Sequence, residues 1–376
     1  MSEQHLHIVS FDVPWPANYG GVIDVLHRAR TLTEMGVKVH LHCFEYGRGE
    51  QEALNFCHEV HYYKRDTSLW RQFSRKPYIV ASRHSEQLVK ELLKDDYPVL
   101  CEGLHTAALL EEERLRGRAI YVRMHNVEHD YYRLLGQAER SWWKRLYFYS
   151  EARKLERYEK ILSRATGIFA VTEKDAASLS ARYANVILMP SSCANDEVTA
   201  LPGTGEYVLY HGNLSVRENE EAAMWLLDNV FCRLKVPCII AGLRPSEKLA
   251  KRVAALPNVT LRADLPDKEM RELIRQAQVN VLVTHQPTGL KLKLLNALYQ
   301  GRHCVVNEEM VAGTPLGSLC TVADDGPSLA SAIEHLWSNP FTEEELQRRQ
   351  QAMSALYDTK ANARLLIRTV FPYWNR

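Results

Sequence analysis

The chain has 376 residues, 46% of them hydrophobic and 25% charged, with 47 basic against 46 acidic side chains and a formal net charge of +1. That balance excludes a nucleic-acid binder working through bulk positive charge, and the length is enough for two domains with separate cores. The 8 cysteines include no C-x-x-C pair and no Cys/His grouping at zinc-ligand spacing, so they read as reduced, mostly buried thiols.

The opening Met1-Ser2-Glu3-Gln4-His5 has no signal-peptide character, and no apolar run reaches the roughly 18–20 residues that a bilayer requires, which predicts a cytoplasmic location. Short apolar runs then alternate with amphipathic helical stretches, the pattern of βα units around a parallel sheet. In the first half, strands are expected at 5–11, 37–44, 98–102, 119–125, 167–172 and 186–189, and helices at 21–35, 84–93, 106–115 and 173–182. A further helical stretch from Ser141 to Leu162 mixes Trp142, Trp143, Tyr147 and Phe148 with Lys144, Arg145, Arg153, Lys154 and Arg157. Aromatics beside basic residues suit peripheral contact with a membrane carrying a lipid-linked acceptor. The same aromatics at i, i+3 and i+4 spacing suit a core face, and Glu151, Glu156 and Glu159 interrupt the basic side. Turn-rich Thr199 to Gly205 marks a linker at 199–206. Beyond it, strands are expected at 207–210, 238–242, 259–263, 279–283, 304–307 and 319–322. The expected fold is α/β: two facing Rossmann-like domains, 1–198 and 207–357, with parallel sheets and a cleft between them. Ligands in such folds lie beyond the carboxyl ends of the strands.

Four loops in those places carry chemistry. Pro14-Trp15-Pro16-Ala17-Asn18-Tyr19-Gly20-Gly21 follows the first strand and opens a helix, where glycines permit close backbone approach. His125-Asn126-Val127-Glu128-His129 is a dense polar cluster at a strand end. His211-Gly212-Asn213-Leu214-Ser215-Val216-Arg217-Glu218-Asn219 leads into a helix. The last and most informative runs from Thr288-Gly289 through Lys291, Lys293 and Asn296 to Gly301. It predicts a helix with two lysines in its first turn, where the N–H groups, the positive dipole end and the ammonium charges all favour a bound anion.

Taken in order, these segments, with Tyr158-Glu159 before the strand at 167–172, resemble the retaining nucleotide-sugar glycosyltransferases of the GT-B fold, the family-four (glycosyl transferases group 1) type. The resemblance covers almost the whole chain. It implies a hexose-type sugar moved from a nucleoside diphosphate sugar, UDP- or GDP-linked, to a carbohydrate or lipid-linked acceptor. It further implies a donor-binding second domain, an acceptor-binding first domain, and a C-terminal helix within 358–376 that crosses back to the first. His125 and Gly21 match the reaction-centre positions, the histidine touching the transferred sugar and the glycine approaching the donor phosphate. Gly20, Asn213, Arg217, Gly289, Lys291, Lys293 and Asn296 fall at donor-nucleotide positions.

The match departs at Asn296, where the family usually has a glutamate for the ribose, at Gln286 to Thr288, where the first acid of the usual pair is missing, and at Asn213 and Glu218, where basic residues are frequent. No D-x-D triplet occurs, so the leaving diphosphate is expected to be stabilised by Arg217, Lys291, Lys293 and helix N-termini, without a metal or other cofactor. Two other readings stand beside this one: a GT-B-like accessory protein with impaired catalysis, and a sugar-nucleotide epimerase.

Overall fold

The apolar runs become two parallel sheets, seen in a computed structural model that describes residues 3–17, 19–139, 141–192, 197–285 and 291–374. The chain divides into one unit of Met1–Ala194 with Tyr357–Arg376 and another of Asn195–Pro287 with Lys291–Leu356.

In the first unit, β1 (Gln4–Ser10), β2 (Val37–Glu45), β3 (Glu59–Lys64), β4 (Val99–Glu102), β5 (Ile120–Met124), β6 (Gly167–Ala170) and β7 (Val186–Leu188) lie in the order β3-β2-β1-β4-β5-β6-β7. Strands buried on both faces need apolar side chains on both, and β1 supplies them. Leu6 and Ile8, opposite Val39 and Leu41 of β2, pack with Val22, Val25, Leu26 and Ala29 of the helix Gly20–Glu34 and with Ala363, Leu366 and Val370 of the helix Thr359–Val370. Val9 belongs to a second core with Val122, Met124 and Leu155. Fully burying a side chain of this size contributes roughly 1.5–3 kcal/mol.

In the second unit, β8 (Val208–His211), β9 (Cys238–Gly242), β10 (Val259–Ala263), β11 (Val279–Leu282), β12 (His303–Val306) and β13 (Thr321–Val322) lie in the order β10-β9-β8-β11-β12-β13. Gly242 is required where β9 ends, because a Cβ there would stand 1.9 Å from the carbonyl oxygen of Gly212 in the loop after β8. In each sheet the chain reverses its direction of winding once, between β1 and β4 and between β8 and β11. Those switch points are where open α/β sheets offer a crevice.

The structure departs from the sequence expectations at several elements. The helix expected at 106–115 is instead two 3₁₀ segments, Leu104–Glu111 and Glu113–Leu115. Leu104, Ala107 and Leu110 recur every third residue and are all buried, the spacing that a 3₁₀ turn eclipses on one side. β3 and the helix Glu128–Ala138 were not expected. The stretch from Ser141 becomes the helix Trp142–Tyr158 and a 3₁₀ segment, Glu159–Arg164. Trp142, Trp143 and Leu146 do not face the core; they are 57%, 66% and 57% exposed. The described cysteines are free thiols, all buried except Cys232 and Cys320. Among the described residues, no helix is long and apolar enough to cross a membrane.

Candidate functional site

At the switch point of the second unit, the loop after β8 enters the helix Arg217–Asn229, and the segment after β11 leads to the helix Leu292–Gln300, capped by Lys291. Lys291 therefore stands at the helix entrance rather than inside its first turn, while Lys293 is in that turn. Side chains join the two segments. Thr284 Oγ1 donates to Glu218 Oε1, and Lys293 Nζ donates to Asn219 Oδ1 at 3.0 Å and lies 5.4 Å from the centre of the Tyr210 ring. Burial strips the Lys293 ammonium of water and pushes its pKa down to about 8, with Glu218 opposing and Lys291 adding repulsion. Burial lowers Lys291 too, again against the pull of Glu218. His211, at the end of β8, is buried and pushed down to about 3, by burial first and Lys293 second, and is therefore neutral. Its Nε2 has no hydrogen-bond partner among the described residues. Two desolvated cations, a buried neutral imidazole and the positive end of a helix together favour an anion.

The remaining residues expected at this site divide. Asn213 belongs to the same loop: its carbonyl accepts from Asn219 Nδ2 at 3.0 Å, and its Oδ1 accepts from Ser215 N and Oγ at 3.1 and 2.7 Å, bracing the loop. Arg217 is 56% exposed in its side chain, and its Nε donates along its own helix to Glu221 Oε1 at 2.8 Å. Asn296 is half-buried in the helix Leu292–Gln300. Thr288 and Gly289 lie outside the described residues.

The first unit holds a buried ionic network that the sequence did not announce. Asp24, on the helix Gly20–Glu34, accepts through Oδ2 from Arg28 Nη1 (2.9 Å) and Arg123 Nε (2.6 Å), and through Oδ1 from the Ser192 N–H (2.6 Å). Arg28 Nη2 donates to Glu102 Oε1 at 2.7 Å, and His125 Nε2 meets Glu102 Oε2 at 2.8 Å. Burial alone would raise both carboxyls; the guanidiniums outweigh it and hold Asp24 and Glu102 below the ordinary carboxylate range. An ionised Glu102 can only accept, so the proton between it and His125 sits on Nε2. The His125 side chain is 11% exposed, with Nδ1 3.7 Å from Asp24 Oδ2. Asp24, Glu102 and His125 are spaced as a cation site would need, but Arg28 and Arg123 already bond these carboxylates. The cluster is an ion-pair network.

Above it the Phe11 ring lies between His105 and His125, with centres 5.2 and 5.4 Å away. A Cβ on Gly21 would stand 2.5 Å from Phe11 Cζ, so that glycine makes room for the ring, and Gly20 begins the helix. Glu128 opens the helix Glu128–Ala138 as a buried carboxyl, pushed up to about 8 by burial, with Arg83 opposing and Asp175 and Glu159 adding to the rise. Two signals marked the network in hindsight. Arg28 falls on the apolar stripe of Val22, Val25, Leu26, Ala29 and Leu32, and Arg123 sits inside the apolar strand Ile120–Met124.

Residues 205–339 match the family model described as Glycosyl transferases group 1. An uncharacterized 44.6 kDa protein in the cps region of Klebsiella pneumoniae is 26% identical over 350 residues, covering 88% of this chain and 87% of that protein. Sucrose-phosphate synthase from Thermosynechococcus elongatus superposes with a TM-score of 0.71 at 16% identity, covering 99% of this chain and 100% of the other. Anabaena Alr3699/HepE, solved in complex with UDP-glucose, superposes at 0.66 with 11% identity, covering 97% and 99%. Residues 205–339 are thus similar to a glycosyl transferases group 1 domain, and the superpositions show a chain of GT-B fold.

Proposed function

We propose that the chain is a retaining glycosyltransferase that moves a hexose from a UDP- or GDP-linked donor to a carbohydrate or lipid-linked acceptor without a metal or other cofactor. The observation that carries this reading is the pair of desolvated lysines at the switch point of the second unit, within the segment matching the group 1 model. A leaving diphosphate develops charge as the glycosidic bond breaks, and fixed cations in a water-poor site stabilise it most. Lys291, Lys293 and the N-terminus of Leu292–Gln300 supply that field, with Asn213 in the loop after β8, Arg217 at the start of the helix that follows it and Asn296 offered to the ribose; Gly289 joins this set on its sequence match. UDP-glucose in the similarly folded HepE supports a nucleotide-sugar donor.

The acceptor falls to the first unit, with His125 and the Gly20–Gly21 helix start at the reaction centre and Glu102 orienting the imidazole. Exposed Leu69, Trp70 and Phe73 (71%, 83% and 82%) and exposed Trp142, Trp143 and Leu146 speak for peripheral contact with the inner face of a membrane. The helix that carries Trp142 meets the Leu69–Phe73 turn nearer its other end, where Lys154 Nζ donates to the Gln72 carbonyl at 3.1 Å.

A second reading, a GT-B-like accessory protein, is favoured by one observation: the Glu218 carboxylate offsets the two lysines and would oppose a diphosphate. A thermal-unfolding panel of uridine, guanosine and adenosine diphosphates with their sugar conjugates tests donor binding. A ligand at 100 times its Kd adds about 2.7 kcal/mol of stability, and a panel without a shift would refute the donor reading.

A further inference from the structure

At the amino-terminal edge of the first unit's sheet, the edge away from His125, one face of β1 and β2 carries histidines at every second position: His5 and His7 on β1, His40 and His42 on β2. Parallel pairing sets His7 opposite His40 and His40 opposite Glu59 of β3. His58, just before β3, is fixed by its N–H donating to the Val39 carbonyl at 2.9 Å.

We propose that His5, His40 and His58 form a binding site for a borderline transition-metal cation, best matched by zinc. It goes beyond the sugar-transfer reading and does not depend on it. Each ring offers one nitrogen, and the three nitrogens lie within 4.8 Å of one another. His5 Nδ1 and His40 Nε2 point at each other across 2.9 Å. Two imidazole nitrogens on a tetrahedral zinc stand about 3.3 Å apart, given Zn–N bonds of about 2.0–2.1 Å, so the pair opens by only a few tenths of an ångström. The His58 ring stands edge-on to both, 5.5 Å from His5 and 5.0 Å from His40 between centres.

The groups around the three rings fit the same role. His40 Nδ1 donates to Glu59 Oε2 at 2.9 Å. With the Nδ1 proton directed at that carboxylate, the Nε2 lone pair faces the site. A carboxylate behind the ligating imidazole is the usual support of a metal-bound histidine. Tyr97 stacks on His5 at 4.4 Å and 12°, fixing that ring, and Glu3 Oε2 lies 4.0 Å from His5 Nε2, where the His5 proton moves once Nδ1 takes the metal. His40 is buried, His5 half-buried and His58 exposed, so the site is open to solvent on one side and leaves room for water as the fourth ligand. Spacing rules along the sequence miss such a site, because strand pairing rather than local spacing brings residues 5, 40 and 58 together.

The test is calorimetric titration of the chelator-treated full chain with Zn²⁺ alone, alongside its thermal unfolding. The wild type is expected to bind one Zn²⁺ per chain and to melt higher with it. H58N, at an exposed position, should melt like the metal-free wild type and bind Zn²⁺ at least tenfold more weakly. E59Q should keep the stoichiometry and weaken binding 10- to 100-fold. Co²⁺ in the wild-type site should give tetrahedral visible absorption that H58N lacks. The proposal is overturned if Zn²⁺ leaves the wild-type melting unchanged, or if H58N binds Zn²⁺ as the wild type does through other surface groups.

Discussion

Replacing Lys293 with methionine separates the anion-binding role of this lysine from any part in holding the fold. In the free protein burial desolvates its ammonium and pushes its pKa down to about 8, from the ordinary lysine value of 10.5. That depression corresponds to about 3 kcal/mol of native-state destabilisation near neutral pH. Below pH 8 the lysine is charged in both the folded and unfolded chains, and the native state carries the whole penalty. Between about pH 8 and 10.5 the folded lysine releases its proton while the unfolded one keeps it, so wild-type stability should rise with pH across that window. Lys293→Met keeps the aliphatic stem beside Tyr210 and removes the charge. It should melt no lower than the wild type at pH 7 and lose the rise above pH 8. Nucleotide diphosphate binding should move the other way. A charged hydrogen bond contributes about 1.5–3 kcal/mol, so Kd should weaken roughly 10- to 150-fold. Wild-type affinity should also fall as pH climbs through about 8, because a bound diphosphate favours the protonated lysine. Calorimetry of the diphosphate with both proteins from pH 7 to 9.5 measures each effect. Equal affinity in the two proteins, or a wild-type affinity that does not change with pH, refutes the assignment.

Three further perturbations probe the first unit. His125→Ala should lower turnover by about 100-fold or more per folded molecule with donor affinity little changed; normal turnover in an early-melting mutant would reduce His125 to a structural partner of Glu102. Arg123→Met strands Asp24 with one guanidinium in a fully buried site, and chemical denaturation should report a loss of about 3–5 kcal/mol, whereas a loss under 1 kcal/mol would contradict the network as described. Changing both Trp142 and Trp143 to serine should reduce sedimentation with anionic lipid vesicles at unchanged melting temperature, and equal sedimentation would remove this face from membrane contact.

The fold was largely legible because parallel strands buried on both faces leave continuous apolar runs, as in Ile168 to Val171 or Cys238 to Ala241. Glu59–Lys64 escaped because an edge strand is half solvated and Glu-Val-His-Tyr-Tyr-Lys has no such run. Lys291 and Lys293 were legible because a helix that begins with cations breaks the dipole preference, and that conflict is visible in one local segment. Asp24, Arg28, Glu102 and Arg123 were not. Asp24 and Arg28 are four residues apart on one helix, but only strand order carries Glu102 and Arg123 to them. The role of Glu218 was hidden for the same reason: its partner Thr284, 66 residues later, comes from the segment that follows β11.

The central claim is tested most directly by following transfer from each donor that the protein binds, in excess chelator, with proton NMR of the anomeric centre in donor and product. Release of the nucleoside diphosphate with the sugar joined to an acceptor in the donor's own anomeric configuration, at the same rate with and without chelator, is the predicted result. Inversion at the anomeric carbon, a strict metal requirement, or no transfer from any donor that binds would contradict it.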